Sequence, residues 1–151
     1  MIEKIDVGFE KFISGFVAGE GYFYISATSK YVHPAFGIKL STKDKKILYK
    51  IKEYLGCGNI EIRKSMNRDY CRFSVFKIKI LLDVIIPLFD RNPMYYTQKQ
   101  NSYEKWKVII HMIEEKEHLT EDGFNIIKLL SKKINEGGKS NGNQNTKEVM
   151  V

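Results

Sequence analysis

Little in this 151-residue sequence serves to staple, stiffen or anchor a chain. Its two cysteines, Cys57 and Cys71, are too few to hold a domain of this size by disulfides, so a reducing compartment is the simpler expectation. Only three prolines occur and no biased tract dominates, which excludes a collagen-like, low-complexity or disordered chain. No apolar run approaches the roughly 20 residues of a membrane-spanning helix. Met1-Ile2-Glu3-Lys4 opens no apolar signal segment. An intracellular protein is expected, cytoplasmic in a prokaryote or organellar, with no membrane partner. Cys57, Cys71, His33, His111 and His118 lack zinc-ligand spacing, which argues against a zinc site.

What is present is material for one core and a surplus of cations. Hydrophobic residues make up 43% and aromatics 13%, which suits a single domain burying roughly 70% of its unfolded surface. That domain is expected over residues 1–136, followed by a flexible tail, 137–151, of glycine, asparagine and lysine. Lys plus Arg number 25 and Asp plus Glu 18, a net charge of +7. The surplus is segregated: residues 20–76 hold 11 basic and 5 acidic side chains, while every other stretch lies within one charge of neutral. A scattered excess speaks for solubility, a segregated one for a polyanion.

Apolar spacing gives the elements. Phe9, Phe12, Ile13, Phe16 and Val17 recur at helical intervals over 6–18. Period-2 alternation follows. Phe23, Ile25 and Ala27 alternate with Tyr22, Tyr24, Ser26, Thr28 and Lys30, and Phe36, Ile38 and Leu40 with Gly37, Lys39 and Ser41. The connection between these strands is expected at His33-Pro34. Thr42 caps a helix to Leu55, ended by Gly56 and Gly58. A second hairpin buries Ile60 and Ile62, then Cys71, Phe73 and Val75, and presents Asn59, Glu61, Arg63, Tyr70, Arg72 and Ser74; Met66 to Asp69 makes its turn. Helices complete the chain: Ile78 to Phe89, ended near Pro87, then Gln98 to Glu117, then Thr120 to Ile134. The expectation is an α+β fold with a four-stranded antiparallel sheet, apolar on one face and cationic on the other. That polar face is either an ordinary solvated surface or a platform for phosphates and base edges.

Two features of the first helix call for a reason. Gly15 and Gly19 share one face, although each glycine costs a helix up to ~1 kcal/mol relative to alanine. Either another helix approaches closely there, or Gly19 merely caps the C-terminus. Glu20 then places a carboxylate at the negative end of the helix dipole, beside the first cationic strand. A lone hard carboxylate next to a phosphate-binding face suits Mg²⁺.

Residues 12–23, Phe-Ile-Ser-Gly-Phe-Val-Ala-Gly-Glu-Gly-Tyr-Phe, resemble the signature helix of the LAGLIDADG homing endonucleases. The nine signature positions fall on Ile13 to Gly21. Gly15 and Gly21 match the family name letter for letter, and Gly-Phe-Val-x-Gly-Glu-Gly-x-Phe is a familiar variant. The α-β-β-α-β-β-α order over about 6–117 is the family's own plan.

This resemblance implies a site-specific endonuclease that cuts both strands of a long pseudo-palindromic DNA site by metal-dependent hydrolysis, leaving short 3′ overhangs. Glu20, with the backbone carbonyl of Gly19, would hold the Mg²⁺, for which Mn²⁺ substitutes. A single motif implies a homodimer packed through Phe12, Gly15, Phe16 and Gly19. The family's basic residue near the site falls on Lys99, with Thr97 the competing position; the bland alternative is a solvated lysine. Its water-ordering polar residue aligns with Leu40, a departure that leaves the role unassigned. The expected DNA contacts are Tyr22, Tyr24, Ser26, Thr28, Lys30, Lys39, Arg63, Arg68, Tyr70 and Arg72, with the surplus cations largely on or beside this face. The rival readings are an RNA-binding intron maturase on the same scaffold and a catalytically silent DNA-binding regulator.

Overall fold

The computed structural model describes residues 4–137. The tail expected over 137–151 lies, apart from Gly137, outside the described residues. Helix α1 (Val7–Glu20) starts at Asp6, whose carboxylate accepts a hydrogen bond from the Phe9 N–H at 2.9 Å. Its buried stripe is Glu10, Ile13, Ser14 and Val17. Glu10, 1% exposed, pairs with Arg91 at 2.6 Å, and the Ser14 hydroxyl donates to the Asn92 carbonyl at 2.6 Å. Two polar anchors thus fix α1 to the segment before the long helix. The chain turns sharply into the sheet at Gly21, where any Cβ would collide with the Val17 side chain.

Strands β1 (Gly21–Thr28), β2 (Tyr31–Ser41), β3 (Asn59–Arg63) and β4 (Tyr70–Val75) form one antiparallel sheet in the order β1-β2-β4-β3. Its inner face supplies Phe23, Ile25, Phe36, Ile38, Cys71, Phe73 and Val75 to the core. Against it pack α2 (Lys45–Leu55), through Leu48, Ile51 and Leu55, and α5 (Gln98–Glu114), through Tyr103, Trp106, Ile109 and Ile110. Each of these large side chains contributes roughly 1.5–3 kcal/mol on burial. Phe23 sits at the centre, with ring centroids 5.1–5.4 Å from those of Phe36, Phe89, Tyr103 and Trp106. Helix α6 (Glu121–Gly137) packs along β1 and covers that edge of the sheet.

Several expectations are corrected. His33-Pro34 is no connection but lies inside β2, opposite Ser26 and Ile25. There, among the described residues, β2 has β1 as its only strand neighbour, since β4 pairs from Phe36 onward, and a strand with one open edge tolerates a missing N–H. The real turn is Ser29-Lys30, both residues at positive φ (49° and 74°), which gives the twist a two-residue hairpin needs. Ser41, not Thr42, caps the next segment, a 3-10 turn (Thr42–Asp44) leading into α2. Ile62 is 41% exposed because β3 is an edge strand.

Pro87 does not end its helix. The helix runs as α3 (Ile78–Ile80), a π-helical turn (Leu81–Ile85) and α4 (Ile86–Arg91). The widened turn contains Asp83, whose carbonyl the proline ring would otherwise strike. Helix α5 stops at Glu114, and Lys116, at φ 59°, turns the chain into a 3-10 segment (Glu117–Leu119) before α6.

Candidate active site and nucleic-acid interface

Glu20 is the last residue of α1 and is exposed at the edge of the polar sheet face. Gly19 is a helical residue one step earlier, so the cap reading fails: the helix ends on Gly21, whose N–H reaches the Val17 carbonyl. Lys99, in the first turn of α5, reaches the end of α1. Its ammonium donates to the Gly21 carbonyl, and Glu20 acts on its charge. Burial pushes the Lys99 amine below the ordinary lysine range, and the Glu20 carboxylate partly opposes that. Thr97 is occupied otherwise: its hydroxyl accepts from the Gln100 N–H at 3.2 Å and donates to the Met94 carbonyl at 2.6 Å. It caps α5 and thereby aims Lys99 at the end of α1.

Among the described residues no cluster of three or more His, Cys, Asp or Glu side chains could hold a metal ion. One carboxylate per chain, beside the unpaired carbonyls of a helix C-terminus, is a hard oxygen set that needs further donors. It fits a cation that takes one or two carboxylates and completes its shell with phosphate and water.

The polar face of the sheet is ordered in rows. Tyr22, Gly37, Ser74 and Asn59 form one row, Lys39, Arg72 and Glu61 the next, and Ser41, Tyr70 and Arg63 a third. Lys39 and Arg72 lie over the Tyr70 ring at 4.3 and 5.3 Å from its centroid, and Glu61 holds the Arg63 guanidinium at 2.5 Å. Burial pushes the Tyr22 hydroxyl upward in pKa, against the nearby Arg72 charge, so it remains a neutral donor and acceptor. Tyr24, Ser26 and Thr28 continue along β1 on the same face.

Lys30 lies in the hairpin turn, beside His118 of the 3-10 segment and Glu121 of α6, and so leaves the face. Arg68 sits in the loop between β3 and β4, where its backbone N–H and carbonyl bond the Ser65 hydroxyl. Leu40 is half-buried against the core, and its neighbours Lys39 and Ser41 take the polar side. Sequence reasoning missed His33 and Tyr31, whose rings stack at 6.3 Å on this face, and Phe76 just beyond β4. Correct placement of the turn at Ser29-Lys30 would have found the first two.

The segregated charge is not gathered on the sheet as expected. Lys43, Lys45, Lys46, Lys50 and Lys52 ride on the 3-10 turn and α2, all exposed on the side of the sheet opposite the polar rows.

The outward stripe of α1 is Phe12, Gly15 and Gly19, with Phe16 half-buried beside it. Phe12 is 47% exposed and stacks on Phe16 at 5.5 Å. A Cβ built on Gly15 or Gly19 meets nothing within 4 Å among the described residues. Packing among the described residues therefore gives no reason for either glycine.

The sequence pattern of the LAGLIDADG endonuclease family matches residues 13–110. The chain belongs to the LAGLIDADG endonuclease family. It is 36% identical over 115 residues to the probable intron-encoded endonuclease 2 of Neurospora crassa, covering 76% of this chain and 25% of that protein. Among solved structures it resembles the LAGLIDADG homing endonuclease I-GzeII in complex with its DNA target, with TM-score 0.80 and 31% identity over 92% of this chain and 48% of the other. It also resembles I-SmaMI bound to uncleaved DNA in the presence of calcium ions, with TM-score 0.76 and 27% identity, over 89% and 47%. The chain thus spans about a quarter of that curated relative and about half of each solved chain. Its α+β architecture is the LAGLIDADG homing-endonuclease fold. Among the described residues no helix is long and apolar enough to cross a membrane.

Proposed function

We propose that the chain is a site-specific homing endonuclease that makes a double-strand break in a long pseudo-palindromic DNA target, leaving short 3′ overhangs. The observation that carries this reading is the Lys99 ammonium held on the Gly21 carbonyl, one residue past Glu20, beside a polar sheet face bearing Lys39, Arg63 and Arg72. The described residues supply one such carboxylate and two strands need two, which a homodimer joined through α1 would provide. The exposed Phe12, Gly15 and Gly19 stripe supports that joint. In a two-fold pair the same stripe meets itself, which matches a pseudo-palindromic site.

Glu20, with the Gly19 carbonyl, would hold a divalent ion, Mg²⁺ with Mn²⁺ substituting. When bound, such an ion supplies charge for the phosphoryl oxygens and lowers the pKa of water. Lys99 offers a positive charge, and a proton at Nζ, to a phosphodiester oxygen brought beside Glu20. The Gly21 carbonyl holds that ammonium in place. Tyr70, between Lys39 and Arg72, keeps two cations extended toward the groove. Arginine and tyrosine on the face contact base edges and phosphates.

Purified protein mixed with a plasmid carrying its insertion-site sequence should linearise it with Mg²⁺ and not with EDTA. Glu20→Gln should bind the same duplex and leave it intact. If wild type fails to cut while binding as Glu20→Gln does, the enzymatic reading is wrong. Tighter binding to the intron RNA than to that duplex would indicate a maturase.

A further inference from the structure

The polar face holds one apolar row. Tyr24 stands opposite Ala35, and the β2–β4 register, continued one step past Phe36 and Val75, brings Phe76 to the other side of Ala35. Tyr24 is 46% exposed and Phe76 55%, while Ala35 between them is 7% exposed. The three line a cavity of about 750 Å³, together with Tyr22 and Arg72 on the sheet and Ile134 and Asn135 on α6. The floor is low there because Tyr22 lies across Gly37, where a Cβ would strike its ring. Arg72 adds a second signal, since its Nε is buried with no hydrogen-bond partner among the described residues. A half-exposed phenyl ring thus stands beside a guanidinium whose Nη1 faces Glu61 at 4.0 Å and whose Nε has no partner among the described residues.

We propose that this row reads a thymine in the major groove, an inference that rests on the duplex-DNA reading above. Thymine alone among the four bases presents a C5-methyl group beside an O4 acceptor. The methyl group fits the apolar space between Tyr24 and Phe76 over Ala35. The Arg72 guanidinium, on the cavity wall, donates to O4. Cytosine would bring an amino donor against the guanidinium and no methyl group, and neither purine carries a methyl group on this edge. Phe76 and Arg72 together thus select thymine.

The test starts from duplexes selected by the full chain out of a randomised pool, in EDTA to prevent cutting. The selected consensus should contain a fixed T·A pair. Deoxyuridine at that thymine removes the methyl group and keeps O4; 5-methylcytosine paired with guanine keeps the methyl group and replaces O4 with a donor. Deoxyuridine should weaken binding about fourfold, the worth of one buried methyl group. The 5-methylcytosine pair should weaken it by at least about fivefold. In Phe76→Ala the deoxyuridine penalty should vanish while the 5-methylcytosine penalty remains, and Phe76→Leu should restore the first. A consensus without fixed thymine, a deoxyuridine site bound as well as thymine, or a penalty unchanged in Phe76→Ala each overturns the inference while leaving DNA binding intact. Failure to retain any duplex overturns the DNA reading and this inference with it.

Discussion

Replacing Gly15 and Gly19 with alanine should strengthen the isolated chain and break the proposed dimer. Both glycines are helical, and the space beyond each is open, so a methyl group adds no clash among the described residues. Alanine then contributes its helix propensity, about 1 kcal/mol at Gly15 and about half that at Gly19, which lies in the last turn. At roughly 2–4 °C per kcal/mol for a chain near this length, the double variant should melt about 3–6 °C higher than wild type. The comparison belongs at a concentration low enough for both to be monomeric, because association raises apparent stability by mass action.

Across a two-fold axis the same methyl groups meet their symmetry mates. Two substitutions place four methyl groups where backbones are to approach, and overpacking of this kind typically costs 1–3 kcal/mol. The dimer dissociation constant should therefore rise by at least about tenfold, read by sedimentation velocity, with a parallel loss of plasmid cleavage. A variant that melts higher yet dimerises and cuts like wild type would refute the interface assignment. A variant that melts lower as a monomer would show that the glycines serve the chain's own fold.

Four further outcomes are expected. Lys99→Met should slow cleavage by about 100-fold while duplex affinity stays within about twofold, measured by single-turnover kinetics and filter binding. Arg91→Met leaves the buried Glu10 carboxylate without its partner and should cost about 3 kcal/mol in urea unfolding, most of it recovered in Glu10→Met with Arg91→Met. Ser29→Asn with Lys30→Gly relieves two positive-φ residues in the hairpin turn and should add about 1 kcal/mol to stability, read in the same assay. Burial pushes both the Cys57 and Cys71 thiols upward, so the thiolate fraction at pH 8 is below that of a free cysteine. Both should react slowly with a disulfide reagent at pH 8 and faster as pH rises, and denaturant should expose both.

Periodicity made most of the fold legible, because one face of each strand and helix must be buried. Phe23 and Ile25, then Phe36 and Ile38, then Cys71 and Phe73 all point inward as their alternation demands. What misled was single-residue chemistry whose context is tertiary. Pro34 signals a turn unless its strand has an open edge, and Pro87 ends a helix unless a π-helical turn makes room for the ring. Phe76 passed unnoticed because it follows β4 directly and reads as the start of an apolar helix. Glu20 was legible from its place between the first helix and the first cationic strand, but Lys99 only through family resemblance. Lys99 and Gly21 are 78 positions apart, and no local pattern ties the first turn of α5 to the end of α1.

Charge shows the same divide between sequence and space. The stretch 20–76 carries 11 of the basic residues, but a β-β-α-β-β unit puts its helix on the far side of its sheet. Five of the 11 are thereby carried away from the polar rows on the 3-10 turn and α2. Lys39, Arg63 and Arg72 stay on the strands, with Glu61 neutralising part of that charge. A mixed face of this kind binds fewer phosphates than the segment's net charge suggests, so the salt dependence of binding per copy should follow the face cations rather than the sum. The same composition favours discrimination: two arginines held by a glutamate, a tyrosine between cations and an apolar row at Ala35 are better suited to reading base edges than to gripping any duplex.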